Sequence, residues 1–430
     1  MVTTGAKKTL KEFYDDLRLA HGSGKISRAT TLAEDPFVLK VAQLLLSYGV
    51  EIGASDIHME PMAANTRIRY RVDGLLHDML RVPPEVGELL IRSIKVRVSM
   101  ATDTLGRSKP QDGRIDFESN GRKLDLRVSS FPTLFGDVLA IRMLDRAAPR
   151  IGLEQLGFPH DEIKQFERLM RRPNGLILVT GPTNSGKTTT LYATLEKIRS
   201  PHIKIVTLED PVEYQMDDVD QAQINSSVGV TFASGLRAIL RQDANVILVG
   251  EIRDKETADI AVRAALTGHM VLSTLHTRHS CGAITRLLDM GIEPHLIVAS
   301  LTGVVAQRLV RRPCAKCQAP DAMALKTFAR LWKQETGVVP PESEATHLVK
   351  GVGCSACIST GYQGRSGLFE LLVLNDELKQ IILDRSSSQL YKTAVSLGMR
   401  SMLLDGLDKA RQGQTTVEEV LRVTGEIEEG

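Results

Sequence analysis

GPTNSGKTT, residues 181–189, is the stretch on which the reading of this 430-residue chain turns. Gly181, Gly186, Lys187 and Thr188 fit the spacing G-x-x-x-x-G-K-[ST]. Directly before it, GLILVT (175–180) is an apolar run of strand length, and directly after it TLYATL (190–195) reads as a helix. A glycine loop between a strand and a helix N-terminus turns backbone N–H groups and the positive end of the helix dipole toward one point, which suits a phosphate. Lys187 is then placed to reach the β- and γ-phosphates of ATP and Thr188 to hold Mg²⁺, with Pro182, Thr183, Asn184, Ser185 and Thr189 completing the loop. A glycine-rich structural turn leaves the Lys-Thr pair unexplained.

Working outward, the composition is that of a globular protein, with 25% charged and 42% apolar residues. The length allows about two to four domains. A net charge of +2 gives no overall pull toward nucleic acid or an anionic membrane. The first residues, MVTTGAKKTLKEFYDDLRLA, mix charges without an apolar centre and do not form a signal peptide. No run approaches the roughly 18 apolar residues of a membrane span. A cytoplasmic protein is expected, with any membrane contact made through a partner.

Five segments are expected: an arm over 1–35, a small α+β domain over 36–148, an α/β core over 149–310, a cysteine-bearing subdomain over 311–370 and a helical region over 371–430. The first domain shows a helical pattern over 36–48 and two hairpins, RIRYRV turning at Asp73-Gly74 and a second turning at Asn120-Gly121. Between the hairpins, Leu89, Leu90, Ile94 and Val98 mark one side of a helix. Residues 145–152 read as a linker. Beyond it, apolar runs at 175–180, 203–208, 246–249 and 270–274 alternate with helical stretches, the pattern of a parallel sheet with crossover helices.

Two of those strands end in acids. VILVGE (246–251) leads to Glu251, and IVTLEDPVE (205–213) leads to Asp210 and Glu213. Nucleotide hydrolysis needs such carboxylates at strand ends, to hold Mg²⁺ and to orient water. Asp210 and Glu251 join Thr188 as candidate Mg²⁺ ligands. Glu213 and Glu251 are both candidates for acting on water, and the sequence leaves that choice open. His269 and His276 flank the strand MVLSTL; each is either a γ-phosphate sensor or a satisfied structural histidine.

Cys314, Cys317, Cys354 and Cys357 form two C-x-x-C pairs, while Cys281 stands apart as a core residue. Outside an oxidising compartment such pairs point to metal rather than disulfides. Four thiolates close a tetrahedral Zn²⁺ site with no open position, which makes it a structural staple. Redox pairs and buried small residues are the alternatives. Arg67, Arg69 and Arg71 share one strand face, with Arg114 and Arg127 in the second hairpin. A solvated sheet face accounts for each arginine singly; the sharper expectation is an arginine that reaches a nucleotide on a neighbouring subunit.

The stretches GASDIHMEP, RIRYRVDG, PQDGRI, LDLRVSSFPTLFGD, GPTNSGKTTTLY, TLEDPVEYQ, TFASGLRAILRQDANVILVGEIRD, ALTGHMVLSTLHT, AQRLVRRPC and GMRSMLLDGLDKARQGQTTVEEVLRV follow one another along the chain. In this order they resemble the GspE/PilB (PulE) family of type II secretion and type IV pilus assembly ATPases, over about residues 36–425. The resemblance implies a RecA-like P-loop ATPase core, a smaller α+β (PAS-like N2) domain before it and a tetracysteine zinc subdomain after it. It implies a homo-hexamer, peripheral to the inner membrane through a platform protein, in which hydrolysis moves the two domains. Lys187 and Thr188 match the family's phosphate loop, residues 207–213 its Asp box, 246–254 its Walker B segment and 269–276 its His box. Arg114, Arg127, Arg237 and Arg241 lie in stretches that match its subunit-bridging arginines.

Three departures stand out. Asn245 occupies a position that is usually acidic, and Glu251 is nonetheless present. The long N-terminal docking domain of typical assembly ATPases is expected to be missing, because residues 1–35 are too short for it. The family's retraction ATPases lack the four-cysteine insert, so its presence argues for extension or secretion. A nucleotide-binding adaptor with little turnover and a DNA-translocating motor are the other readings. The intact acids count against the first, and the near-neutral charge without a basic, aromatic groove counts against the second.

Overall fold

The computed structural model describes residues 36–102, 109–145, 151–340 and 347–425. The expected arm and residues 146–150 of the expected linker lie outside the described residues. The chain divides into two compact units between residues 149 and 150.

The first unit is a six-stranded antiparallel sheet packed on two helices. Its strands are β1 (Asp56–Pro61), β2 (Thr66–Val72), β3 (Leu75–Val82), β4 (Gln111–Ser119), β5 (Arg122–Thr133) and β6 (Gly136–Asp145), in the order β3-β2-β1-β6-β5-β4. The helices are α1 (Pro36–Glu51) and α2 (Pro84–Arg97). Both expected hairpins form. Their two-residue turns put Asp73 and Gly74 at φ 48° and 87°, and Asn120 and Gly121 at 53° and 75°, the left-handed pair that matches strand twist. The strand in GASDIHMEP lay hidden in a short mixed run. Its alternation points Ile57 and Met59 into the core, with Asp56, His58 and Glu60 on the other face. Those acids lie opposite the arginine row. Arg67 Nε donates to Glu60 Oε2 at 2.9 Å, Arg69 Nη2 to Glu60 Oε1 at 2.5 Å, and Arg71 Nε lies 3.4 Å from Asp56 Oδ2. Each arginine of the row thus has a carboxylate partner within its own sheet.

The second unit is built on a seven-stranded sheet of order β15-β12-β7-β11-β10-β8-β9. Its strands are β7 (Gly175–Thr180), β8 (Ile205–Glu209), β9 (Val219–Gln223), β10 (Val246–Val249), β11 (Met270–Leu275), β12 (Leu301–Pro313) and β15 (Tyr362–Val373). All neighbours are parallel except β12 and β15. The central strands are continuous apolar runs because both faces are covered. Ile177 and Val179 of β7 pack with α3 (His160–Met170) and α4 (Lys187–Ile198). Leu176 and Leu178 pack on the opposite side with α5 (Phe232–Ile239), α6 (Lys255–Leu266), α7 (Ser280–Asp289) and α8 (Pro294–Ser300).

The segment borders expected at 310/311 and 370/371 fall inside β12 and β15. The two strands pair from Gly303↔Val373 to Pro313↔Tyr362, so both belong to the main sheet. The cysteine segment is the excursion between them, whose described residues include the short pair β13 (Gln318–Pro320) and β14 (Val349–Gly351) and the α-helix α9 (Ala324–Thr336). The last helices are α10 (Asp376–Leu383), α11 (Ser387–Ser396), α12 (Met402–Arg411) and α13 (Val417–Thr424). Phe328 and Leu331 of α9 share an apolar cluster with Leu403 and Leu407 of α12 and Val417 and Val420 of α13.

One buried ion pair ties α13 to β12. Glu419, fully enclosed, accepts from the Arg311 backbone N–H at 2.9 Å and from Arg311 Nη2 at 2.7 Å, while the Arg311 guanidinium lies 3.8 Å from the Tyr362 ring centre. Burial pushes the Glu419 carboxyl up, but hydrogen bonds from Arg422 and Arg311 outweigh it and bring it down to about 2. A carboxyl depressed in the fold contributes stability above its unfolded value, and that contribution fades as pH falls through the folded value. Thermal midpoints of the wild type should therefore drop between about pH 4.5 and pH 2, and Glu419→Ala should remove much of that slope. At neutral pH the same variant should cost about 3–5 kcal/mol, because it strands Arg311 in the interior.

Candidate functional site

The buried strand β7 delivers Gly181 to the carboxyl edge of the sheet, and the chain turns there into α4. A side chain at Gly181 would lie 2.5 Å from the Gln307 carbonyl oxygen and 2.5 Å from Ser185 Oγ. Gly186 sits at φ 88°, and a Cβ there would meet Gln307 Nε2 at 2.7 Å. Gln307, itself buried in β12, also accepts from Thr190 Oγ1 at 2.7 Å. The loop thus rests on one glutamine from a distant strand. Pro182, Thr183, Asn184, Thr188 and Thr189 remain exposed around its mouth. Lys187 Nζ donates to the Gly181 and Pro182 carbonyls, both at 2.9 Å, which holds the ammonium over the loop. Burial draws Lys187 down to about 8, with Arg308 adding to the effect and Glu251 opposing it.

The parallel sheet brings the predicted acids to the same edge. Glu251, just past β10, accepts from Arg253 Nη2 at 2.5 Å, and Arg253 Nη2 also lies 3.6 Å from Asp210 Oδ2 past β8. His276 Nε2, past β11, is 3.7 Å from Glu251 Oε2. Burial pushes the Glu251 carboxyl up, but the Arg253 hydrogen bond and the charges of Arg253, His276 and Lys187 hold it below the usual range. Burial and the Lys187 charge lower His276, against the pull of Glu251. Glu213 is exposed, and its backbone N–H points at the Tyr192 hydroxyl, 3.4 Å away.

His269 does not join this cluster. It stands before the first residue of β11, with Nδ1 3.1 Å from the Ala264 carbonyl oxygen and its own carbonyl accepting from Gly175 N–H. The run of β11 separates it from His276 by roughly 20 Å, so within one chain only His276 lies beside Glu251. Asn245 lies at that same far edge, where Oδ1 accepts from Lys204 N–H at 2.7 Å. The substitution of an amide for an acid there leaves the Glu251 edge untouched.

Arg237 and Arg241 lie on and just past α5. Arg237 bonds Glu256 at 2.5 Å, and Arg241 Nη1 donates to the Arg237 carbonyl at 2.9 Å. In the first unit Arg114 and Arg127 share Asp125, at 3.4 and 3.5 Å. Sequence reasoning passed over Gln307, Arg253, Tyr192 and Glu209. Only Arg253 and Glu209 carried a local signal, as polar residues beside the ends of apolar strands.

The four paired cysteines meet. Their sulfurs all lie within 4.8 Å of one another, with Cys314–Cys354 at 3.9 Å and Cys317–Cys357 and Cys354–Cys357 at 3.8 Å. A tetrahedron with metal–sulfur bonds of about 2.3 Å has edges of about 3.8 Å, so the donor set fits. Backbone N–H groups of Cys354 and Gly361 reach Cys357 Sγ at 3.2 Å each. Burial pushes the Cys357 thiol up, and those N–H groups help bring it down to about 6. Cys281 is buried in α7, away from the cluster, and burial pushes its thiol up to about 12.

Comparison with known proteins bears on this geometry. The family described as Type II/IV secretion system protein matches residues 31–422. The chain is 45% identical over 393 residues to the type II secretion system ATPase E of Vibrio cholerae, covering 91% of this chain and 76% of that protein. It is 41% identical over 402 residues to the type IV pilus assembly ATPase PilB of Myxococcus xanthus, covering 92% and 69%. Among solved structures, the pilus retraction motor PilT with bound ADP aligns at TM-score 0.59 and 26% identity, over 90% of this chain and 98% of that one. The ATPase DotB of Legionella pneumophila shares the fold at TM-score 0.65 and 22% identity, over 89% and 95%.

The loop geometry makes a direct prediction. Gly186→Ala forces a side chain into a left-handed backbone position and against Gln307, at a cost of about 1–3 kcal/mol. Titration with a fluorescent ATP analogue should show affinity reduced about tenfold or more. Unchanged affinity would mean that the loop tolerates a different backbone.

Proposed function

Because the chain belongs to the Type II/IV secretion system protein family, we propose that it is an ATP hydrolase whose turnover drives domain motion in type II secretion or type IV pilus assembly. One arrangement favours hydrolysis over simple binding. Lys187, Glu251, His276, Arg253 and Asp210 gather at the carboxyl edge of four adjacent parallel strands, where ligands bind in open α/β sheets.

In this reading the loop N–H groups from Gly181 to Thr189 cradle the phosphates, and Lys187 exchanges its two carbonyl partners for β- and γ-oxygens. Thr188, Asp210 and Glu251 would hold Mg²⁺, whose charge offsets that of the phosphates. Arg253 keeps Glu251 ionised and aimed at the site. His276, beside Glu251, is the phosphate-sensing candidate. Glu213, exposed and set beside the loop helix, is assigned to orient the attacking water. Arg114, Arg127, Arg237 and Arg241 are assigned to the neighbouring subunit's nucleotide, which requires an oligomer, and a homo-hexamer is the form assigned to it. No described helix is long and apolar enough to cross a membrane; contact with the inner membrane is assigned to a platform protein. The four thiols are assigned to Zn²⁺, a closed and therefore structural site.

ATPase rate per protomer should rise steeply with protein concentration, because each site is completed between subunits. Lys187→Ala and Glu251→Gln should each lower it by about a hundredfold or more while leaving the fold intact by circular dichroism. A wild-type rate equal to that of Lys187→Ala at every concentration would instead indicate a nucleotide-binding adaptor. Elemental analysis should find one zinc per chain. Chelation should speed hydrogen exchange over residues 314–361 before it reaches the phosphate loop, and full thermal stability after zinc loss would contradict the staple.

A further inference from the structure

Among the buried acids of the described residues, the one that ends β8, next to Asp210, has no role assigned above. Glu209, the last residue of β8, is only 3% exposed. It accepts from Thr207 Oγ1 at 2.6 Å, from Gln221 Nε2 at 3.3 Å and from the Tyr192 hydroxyl, and none of these partners is a cation. A buried carboxyl held only by neutral donors is costly, and an apolar pair of the same volume would stabilise the sheet better. Burial holds the Glu209 carboxyl above its usual value, against those three hydrogen bonds.

Tyr192 explains what the acid is for. It lies in α4, five residues after Lys187, so its position along the helix axis is set from the phosphate loop by a span of about 7.5 Å. Its ring is buried, edge-on to Tyr214 at 4.5 Å between centres. The hydroxyl donates to Glu209 and accepts from Gln221 Nε2 and the Glu213 backbone N–H, both at 3.4 Å. One donor and two acceptor sites are all that a phenol offers. Glu209 fixes which way the proton points and leaves one lone pair for Gln221 and one for the Glu213 backbone N–H. Gln221 completes the hold: one amide N–H goes to the Tyr214 carbonyl at 3.1 Å, the other is shared between Tyr192 and Glu209, and Oε1 accepts from Met216 N–H at 2.8 Å.

We propose that Tyr192 is a positioning residue for hydrolysis: through its hydroxyl, the helix that carries the phosphate loop sets the backbone from which Glu213 reaches the attacking water. The inference rests on the assignment of Glu213 to that water. It requires the aromatic hydroxyl itself, so Tyr192→Phe, which keeps ring and packing, is the informative change.

The experiment is steady-state ATPase kinetics on the full chain for Tyr192→Phe, Glu213→Gln and the double variant, with thermal midpoints measured alongside. Tyr192→Phe should lower kcat by about 10- to 100-fold. KM for ATP should stay within about twofold, as for a group that acts only in the transition state. In the Glu213→Gln background the same change should add little, since its target is gone. Gln221→Met, which leaves α4 intact, should give the same kcat-only loss in smaller measure and serves if Tyr192→Phe does not fold. Wild-type kcat in Tyr192→Phe, a rise in KM at constant kcat, or a full additional loss in the double variant would each overturn the proposal. If Glu213→Gln itself turns over normally, the assignment of Glu213 falls and takes this inference with it. If Glu213→Gln is impaired while Tyr192→Phe is normal, only the positioning role is lost.

Discussion

Parallel strands impose a direction on everything attached to them. In the second unit β7, β11, β10 and β8 lie side by side and point the same way, so the residues that follow each of them arrive at one edge. Gly181, His276, Glu251 and Asp210 are neighbours for that reason alone, although nearly a hundred residues separate the first from the second. The strands are buried on both faces, and a slip of register would carry apolar side chains into the wrong layer. The chemistry at the edge inherits its precision from the sheet beneath it. The same constraint sends His269 and Asn245 to the opposite edge, where they make backbone contacts.

β12 gives the core a second organising element. Near its middle, Gln307 lies under the phosphate loop and fills the space that the two glycines leave. A few residues on, Arg311 is locked by Glu419 and Tyr362, and Cys314 opens the thiol cluster. One continuous strand therefore runs from beneath the glycine loop to the cysteine segment, and its antiparallel partner β15 returns alongside. The four cysteines close the excursion between these two strands, where a metal held by their sulfurs would keep the ends from parting. The helices α12 and α13 then bury the apolar side of α9 in that excursion.

Charge is handled differently in the two units. In the first, cross-strand register sets Glu60 and Asp56 against Arg67 and Arg71, and the arginines of that face are paired within the sheet. Such half-exposed pairs add little stability, but they restrict which arginines face outward unsatisfied. In the second, opposite charges are concentrated at one edge. Glu251 acts on Lys187, Arg253 and His276 and is acted on by them, and the partial burial of Lys187 favours its meeting with an anion. The uncharged set Tyr192, Gln221 and Thr207 around Glu209 is separate from that field and acts through direction rather than charge.

The sequence by itself determined the features that depend on residues close in the chain. The spacing of Gly181, Gly186, Lys187 and Thr188 specifies a phosphate loop because a few backbone angles suffice to form it. The two-residue turns at Asp73-Gly74 and Asn120-Gly121 and the apolar runs of β7, β10 and β11 are legible for the same reason, as is the pairing of cysteines within each C-x-x-C. Tertiary structure alone decided which of two flanking histidines meets Glu251, that the expected subdomain borders run through β12 and β15, and that a short mixed run forms β1. It also decided that Gln307, 117 residues from Thr190, supports the loop, and that Tyr192 joins Glu209 and Glu213. These contacts follow from strand order and register, which arise when distant apolar faces are buried together, and no local pattern of residues records which strand will lie beside which.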